Sequence, residues 1–399
     1  MHALLADRKI VGALLVLAVT QVIGWGTVGL PAIVGREMAR DLGMTLAAAF
    51  GGTSVLYIAM GLMAPLLMRL LPRHGARPVM AAGAFLSAPG FVVLSFAHGP
   101  VLYYIAWAML GLAGGAALST SAYAMLSEIA GSKARSAIGA LLLATGLSSS
   151  VFWPVTAFLA GAVGWRDTAL IYALLMVAVC APLYVFCLPR REVARDGLAT
   201  VPSARSAPVK PEPGIFAMVI AVVALYAFTT FGLSSVFIEL LKARGLSGPE
   251  AIFLGSSLGV IQVSARVVDF FGGDKWDGIT TGLFAGLLVP VAMLVLLAGG
   301  GGHWSIISFI LIYGLGSGGL VVARATIPLV FYDKAAFARI TARIALPINL
   351  ISAVAPPIFA GLLVHLGSTV LIVVVLGCSC LALALLFLLG QRRPMPVQA

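Results

Sequence analysis

The sequence repeats itself at a constant offset of 203 positions, and this repeat limits the possible folds more than any single motif. Thr27-Val28-Gly29-Leu30 returns as Thr230-Phe231-Gly232-Leu233. The same offset relates Phe50, Gly52, Thr53 and Ser54 to Phe253, Gly255, Ser256 and Ser257, Gly111 and Gly115 to Gly314 and Gly318, and Pro154 to Pro357. Four separate segments keep one register, which indicates an ancestral duplication. In an apolar chain, two parallel halves predict a membrane carrier with its substrate site between them.

The composition places the chain in a lipid bilayer, since 61% of its residues are hydrophobic, only 10% are charged, and its mean hydropathy is +1.09. Apolar runs of about 20 residues predict an all-α, polytopic membrane protein with about twelve transmembrane helices in two pseudo-symmetric six-helix bundles. The helices are expected near 10–32, 46–71, 77–97, 101–129, 134–163, 168–188, 214–241, 248–273, 279–299, 303–331, 336–366 and 367–390. The long polar stretch 189–213 predicts a cytoplasmic linker between an N-terminal bundle (1–188) and a C-terminal bundle (214–399).

Lysine and arginine fall mainly on one side of this topology. If the N-terminus is cytoplasmic, the cytoplasmic segments hold 18 of these residues and the outer segments hold five. The outer five are Arg36, Arg40, Arg166, Lys242 and Arg244. By the positive-inside rule, we expect a multi-pass protein of a bacterial-type inner membrane with both termini in the cytoplasm. This distribution also explains the net charge of +11 without a nucleic-acid partner.

Twelve helices, a central cytoplasmic loop and the duplication together resemble the major facilitator superfamily over essentially the whole chain. The superfamily usually carries an Asp-Arg, one residue, Gly-Arg/Lys pattern between helices 2 and 3. Residues 71–78 keep Arg73, Gly75 and Arg77 of that pattern but lack the aspartate. The resemblance implies a transporter that works by alternating access.

Three short motifs resemble the bacterial relatives of the monocarboxylate porters. Gly24-Trp25-Gly26 is similar to their glycine-aromatic signature in helix 1, and Gly164-Trp165-Arg166 to their turn after helix 5. Val263-Ser264-Ala265-Arg266 is similar to the segment of helix 8 that carries a substrate-binding arginine in those porters. They often have an acid one turn before this arginine, where this chain has Gln262. The resemblance implies that Arg266 binds a carboxylate substrate.

Arg266 and Arg324 are the two cations outside the charge count above, because both fall within predicted helices. Each lies about eight residues from the nearest cytoplasmic loop, or roughly 12 Å. An arginine at this depth normally faces the bundle interior or a watery cavity, although it can also extend its side chain to the headgroups. Their equivalents in the repeat are Met63 and Ser121, so the scaffold itself does not require the cations. Guanidinium groups bind carboxylates through two parallel hydrogen bonds, which favours an anionic substrate.

Two acids are candidates for proton coupling. Asp269 follows Arg266 by three residues and Gln262 precedes it by four, so all three can share a helical face. Asp269 can be a proton-coupling carboxylate whose pairing with Arg266 changes when substrate binds, or it can form a permanent ion pair that allows Arg266 to be buried. Glu239, near the end of helix 7, is a second candidate, although an acid at a helix end is more often solvated.

Other polar and aromatic residues within the apolar helices are expected to line the substrate cavity, or alternatively to pack in the core or at the membrane interface. They are Trp25 and Thr27 on helix 1, Tyr57 on helix 2, Tyr123 on helix 4, Gln262 on helix 8 and Asn349 on helix 11. The four cysteines have no histidine or carboxylate beside them in their helices, so we expect no metal site. No cofactor is expected.

The sequence therefore predicts a secondary active transporter that moves a small, monocarboxylate-like organic anion by alternating access with proton coupling. The expected partners are the anion, protons and the lipid bilayer, and a monomer is expected to suffice. An efflux pump for amphipathic drugs or other toxic compounds is the alternative, with the aromatic walls more important than the arginines. An enzyme is not expected, because no nucleophile–base pair or metal cluster falls at membrane depth.

The topology can be tested by placing single cysteines at Ala199 and Gly301 in a variant without the four native cysteines. We expect a membrane-impermeant thiol reagent applied to intact cells to label position 301 and not position 199. Permeabilised cells, in which both positions react, are the control. Labelling of position 199 alone in intact cells would reverse the assigned orientation.

Overall fold

The computed structural model of the protein describes residues 7–189, 213–272, 277–331 and 334–393, and these residues form helices joined by short connections. We number the helices by membrane crossing. The helices of the first half are α1 (Arg8–Val28 and Leu30–Asp41), α2 (Leu46–His74), α3 (Ala76–Ser95), α4 (Pro100–Ala117 and Ser119–Ala130), and α5 and α6, which span Ala134–Thr145, Ser148–Leu175, Met176–Cys180 and Leu183–Cys187. The second half contains α7 (Pro213–Ala243), α8 (Gly248–Gly272), α9 (Gly278–Ala298), α10 (His303–Phe331), α11 (Lys334–His365) and α12 (Gly367–Gln391).

Length and composition make ten of the described helical segments long and apolar enough to cross a membrane. One of the ten covers 52 residues, Ser136–Cys187, which would be about 78 Å long as a straight helix. It bends instead at Gly164, whose φ of 83° and ψ of 164° are a glycine conformation, and so makes two crossings, α5 and α6. The shorter apolar stretch Leu350–His365 belongs to α11. The predicted all-α, polytopic fold is confirmed.

The two halves pack their helices in the same way. A Cβ added at Gly111 would lie 2.6 Å from the Ala59 Cβ, and one added at Gly115 would lie 3.0 Å from Met63, so both glycines hold α4 against α2. Their repeat partners Gly314 and Gly318 face Ile261 and Gln262 and hold α10 against α8. The glycine pairs at the 203-residue offset therefore serve equivalent helix contacts in the two bundles.

Ion pairs and hydrogen bonds at the helix ends define two faces of the molecule. On the face that contains Asp7, Arg393 pairs with Asp277 at 3.4 Å. We call this the N-terminal face. On the opposite face, Trp165 Nε1 donates to Asp41 at 2.8 Å, and Arg166 donates to the carbonyls of Ser95 and Ala97 at 2.8 and 2.6 Å. The Gly164-Trp165-Arg166 turn thus joins the three connections of the N-terminal bundle on the opposite face.

The two bundles meet along pairs of helices that the pseudo-symmetry exchanges. Helix α2 packs against α11 and α8 against α5, while α7 contacts the second part of α1. The interface between the bundles therefore includes α1, α2, α5, α7, α8 and α11. The predicted linker lies outside the described residues over most of its length, so the domain boundaries at 188 and 214 stay predictions.

Candidate functional site

Arg266 extends from α8 across the interface between the bundles. It lies six residues before the end of α8, about 9 Å along the helix axis, and only 9% of it is exposed. Its Nη1 donates to the carbonyl oxygen of Leu142 on α5 at 3.0 Å, and its Nε is buried without a partner. The side chain therefore points into the protein and does not extend to the headgroups, which was the alternative to an interior location.

Arg324 approaches the same interface from α10. It is partly buried, and its guanidinium carbon lies 5.6 Å from the centroid of the Phe231 ring on α7. Its charge repels that of Arg266, and both arginines interact electrostatically with the Tyr123 hydroxyl on α4. Among the described ion pairs, none joins Arg266 or Arg324 to a carboxylate. The two cations therefore lie within electrostatic range of each other, without an acidic counterion among the described residues.

The wall of an inter-bundle cavity of about 160 Å³ contains five aromatic rings, and one of them, Phe231, lies against Arg324. Trp25, Phe50, Tyr57 and Trp153 come from the N-terminal bundle, and Phe231, Ser234, Ser235 and Pro356 from the C-terminal bundle. Tyr57 and Phe231 meet edge to face with their ring centroids 5.9 Å apart. Since Arg324 stacks over Phe231, this ring pair connects the cavity to the cationic region.

The other predicted cavity residues are distributed over several environments. Trp25 and Tyr57 line the cavity, and the Trp25 Nε1 donates to Ser119 on α4 at 3.1 Å. Thr27 instead faces the interior of the N-terminal bundle and donates to the Gly24 carbonyl at 2.9 Å. Gln262 donates to Ser317 on α10 at 3.0 Å, which leaves it on the helix face toward the interior of its own bundle. The side chain of Asn349 lies outside the described residues.

Asp269 is bonded to a neighbouring helix. Its Oδ1 accepts a hydrogen bond of 2.6 Å from the Thr281 hydroxyl on α9, close to the N-terminal face. The permanent Arg266–Asp269 ion pair considered from the sequence does not occur in this conformation. Asp269 is therefore not the group that compensates the buried Arg266 charge here, and a role in proton coupling stays a prediction.

Glu239 is buried at the opposite face, where an acid at a helix end was expected to be solvated. It is only 2% exposed, and it accepts a hydrogen bond of 2.8 Å from the Arg36 Nε on α1 and another of 3.0 Å from Lys242. Arg36 and Glu239 occupy equivalent positions of the repeat, since 239 − 36 = 203. An arginine and a glutamate at equivalent positions of the repeat are a sequence pattern that could have predicted this contact between the bundles.

Sequence reasoning also missed the groups that complete the interface. They are Trp153, Phe231, Ser234 and Ser235 in the cavity wall, and Leu142 and Gly146 beside Arg266. The two serines are ordinary in an apolar helix, and a backbone carbonyl acceptor leaves no trace in a side-chain pattern. The proximity of these groups arises from the apposition of two bundles, which only the three-dimensional structure shows.

The model of the Major Facilitator Superfamily matches residues 14–344, and the chain belongs to that superfamily of membrane transporters. A bacterial homolog of the human lysosomal transporter Spinster has a similar structure in both its inward-facing occupied and inward-facing unoccupied forms. The TM-scores are 0.74 and 0.75, with 14% identity over 98% of this chain and 100% of that one. A peptide transporter, POT, in complex with sulfate gives a TM-score of 0.72 at 13% identity over 95% of both chains. At such identities the likeness shows the fold. No curated protein sequence matches the chain.

These findings identify a transporter family rather than an enzyme family, and they confirm the superfamily resemblance that the sequence suggested. The finer resemblance to the monocarboxylate porters is not confirmed by them. The substrate must therefore be inferred from the side chains of this chain.

The Arg36–Glu239 contact should hold the opposite face closed. Glu239→Gln removes the acid between Arg36 and Lys242, so the two cations repel and the ends of α1 and α7 separate. We expect a cysteine at Ser235, in the cavity wall, to react roughly tenfold faster with an impermeant thiol reagent, which corresponds to about 1.4 kcal/mol. Glu250→Gln, which changes an acid that bonds only to Ser247, is the matched control. Equal labelling rates in both variants would show that the ion pair does not close this face.

Proposed function

We propose that this protein is a secondary carrier for a small organic monocarboxylate with an apolar or aromatic part. The observation that supports this proposal is the pair Arg266 and Arg324, which lie near each other at the bundle interface without an acidic counterion among the described residues. The superfamily membership supplies the transport function, and the arginines supply the charge of the substrate.

The energetics of the pair favour an anion as the missing partner. Two like charges in a medium of reduced dielectric repel each other, and each also loses hydration on burial. A carboxylate placed between them removes the repulsion and provides acceptors for the unpartnered Nε of Arg266. A neutral or cationic ligand would leave this cost in place. The site thus favours binding of a carboxylate over its amide.

The aromatic cavity accommodates the rest of the substrate. Its wall contains the rings of Trp25, Tyr57, Trp153 and Phe231 and the hydroxyls of Ser234 and Ser235, without a charged side chain. Such a wall binds an apolar group by burial and by ring contacts. In this binding mode the carboxylate lies at the arginines, with Tyr123 beside it, and the apolar part passes the Tyr57–Phe231 contact into the cavity.

Transport would proceed by rocking of the two bundles around this site. The Arg36–Glu239 pair joins α1 to α7 at the opposite face in the present conformation. The reverse movement separates α1 from α7 and opens the cavity there. We assign the carrier to a bacterial-type inner membrane, with the N-terminal face in the cytoplasm and a single chain as the working unit.

Energy for accumulation would come from a proton gradient. Asp269 is our first candidate for the proton site because it lies one helical turn from Arg266, and its present partner is a neutral hydroxyl that can also bond to the protonated acid. Glu239 is the second candidate, since protonation would weaken its bond to Arg36 and release the closed face.

Export of amphipathic compounds is the second candidate function, and the uncharged aromatic cavity is the observation that favours it. The two functions differ in their dependence on the arginines. A drug site would bind through the rings and would largely survive neutralisation of Arg266.

Arg266 should be required for binding of the anion. In proteoliposomes, we expect Arg266→Ala to lower benzoate uptake at a low substrate concentration roughly 100-fold, because a charged hydrogen bond of up to about 3 kcal/mol is lost. Arg266→Lys keeps the charge but loses the paired donors, so an intermediate loss of roughly tenfold is expected. Initial rates of radiolabelled benzoate uptake measure both effects.

Arg69→Ala is the matched control, because Arg69 is an exposed arginine on α2 near the same face. It should transport benzoate at the wild-type rate. Wild-type uptake by a well-folded Arg266→Ala protein would disprove the anion site. Retained transport of a neutral amphipathic dye together with lost benzoate uptake would support the anion site and show that the cavity also accepts drugs.

Asp269→Asn should separate proton coupling from substrate movement. We expect the variant to lose accumulation of benzoate driven by a pH gradient while benzoate exchange between the two faces continues at a measurable rate. Liposomes with and without an imposed pH gradient, loaded or not with unlabelled benzoate, measure the two activities. If the variant still concentrates benzoate when the gradient is imposed, Asp269 does not carry the proton, and Glu239→Gln becomes the next variant to assay.

A further inference from the structure

Helix α5 is broken at the level of Arg266. Its first part, Ala134–Thr145, ends before Gly146, and the helix resumes at Ser148. The carbonyl of Leu142 in the last turn of the first part accepts from the Gly146 amide at 3.2 Å and from Arg266 Nη1 at 3.0 Å. A cation at the last turn of a helix interacts favourably with the carbonyl end of the helix dipole. The Leu142 carbonyl thus accepts a second hydrogen bond, from the guanidinium, in addition to its helical one.

Gly146 leaves room for this guanidinium. A Cβ added there would lie 2.8 Å from Arg266 Nη1 and 2.5 Å from the Val263 Cγ2. The backbone does not demand a glycine at this position, because φ is −61° and ψ is −21°, ordinary helical values. The missing side chain thus matters for close approach of α8 and its arginine, and not for the conformation of α5 itself.

The same crossing is close further along the two helices. A Cβ at Gly259 on α8 would lie 2.8 Å from both the Gly146 carbonyl oxygen and the Ser149 Oγ, and the Ser150 Oγ accepts from the Val260 amide at 3.0 Å. Small residues on both helices bring the backbones together, so the position of Arg266 relative to α5 is tightly defined.

We infer that Gly146, with the Leu142 carbonyl, is a positioning residue for the substrate anion, acting through Arg266. The carbonyl holds Nη1 and turns the guanidinium so that Nε and Nη2 remain for a carboxylate. This inference rests on the proposed anion site. It also means that the bundle without the arginines contributes to anion affinity, so binding senses whether α5 and α8 are in contact.

The test compares two glycine-to-alanine substitutions on α5. Gly146→Ala displaces the guanidinium, whereas Gly139→Ala places its methyl where no atom lies within 4 Å. We expect Gly146→Ala to raise the dissociation constant for benzoate roughly tenfold in purified protein, with Gly139→Ala within twofold of wild type. The turnover of Gly146→Ala at saturating benzoate should change less than its KM, and its thermal midpoint should confirm a folded protein.

Val263→Ala distinguishes displacement of the guanidinium from a packing clash, because it removes the Val263 Cγ2, the atom nearest to the new Cβ at 2.5 Å. If Gly146 acts through Arg266, the Gly146→Ala/Val263→Ala variant keeps the tenfold weaker binding. Restored affinity in that variant, or wild-type affinity in Gly146→Ala, would overturn the positioning role. Arg266→Ala in the same assay distinguishes failure of the Gly146 positioning role from failure of the anion site itself. If it binds benzoate as wild type does, or if wild type binds no benzoate, the proposed anion site itself fails.

Discussion

The hydrogen bond from Arg266 to the Leu142 carbonyl is the interaction on which the functional account depends. Arg266 is about nine-tenths buried in a membrane-spanning structure, and this bond uses only one of its donor nitrogens, Nη1. It also crosses from one bundle to the other, so the charge that would bind substrate is attached to the surface that moves during transport. A second cation, Arg324, lies within electrostatic range and raises the energy of the empty site.

A symmetric scaffold carries these asymmetric charges. Glycine pairs related by 203 positions hold α4 on α2 and α10 on α8, while the residues equivalent to the two arginines are Met63 and Ser121. Met63 packs against Gly115. The N-terminal bundle therefore has an uncharged side chain at the position where the C-terminal bundle has the Arg266 cation. At the opposite face, the equivalent positions 36 and 239 form an ion pair between the bundles. Duplication accounts for the frame that the two bundles share, and divergence of one half supplied the two arginines.

The sequence was sufficient for the fold and for part of the site. Apolar runs and the repeat predicted the helices closely, since burial in hydrocarbon forces every backbone group into a helix. Depth in α8 and α10 singled out Arg266 and Arg324, because a charge at that depth is costly. Sequence spacing did not predict the partners of polar side chains, because a residue on one helical face can bond to its own helix or to a neighbouring one. Gln262 bonds to α10 and Asp269 to α9, and neither bonds to Arg266. Thr27 bonds within its own helix. Backbone acceptors and contacts between bundles, such as Leu142 and Trp153, have no local sequence pattern and required the structure.

The position of a bound anion decides whether Arg266 forms the substrate site. Diffraction from crystals soaked with 4-iodobenzoate gives the iodine position from its anomalous signal and the carboxylate from the density attached to it. We expect the carboxylate within hydrogen-bond distance of the Arg266 guanidinium, and the iodine in the cavity between Trp25 and Phe231. The same soak of Arg266→Ala crystals should show no iodine there. An iodine peak in that cavity with the carboxylate directed away from both arginines, or an unchanged peak in the variant, would contradict an anion site built on Arg266.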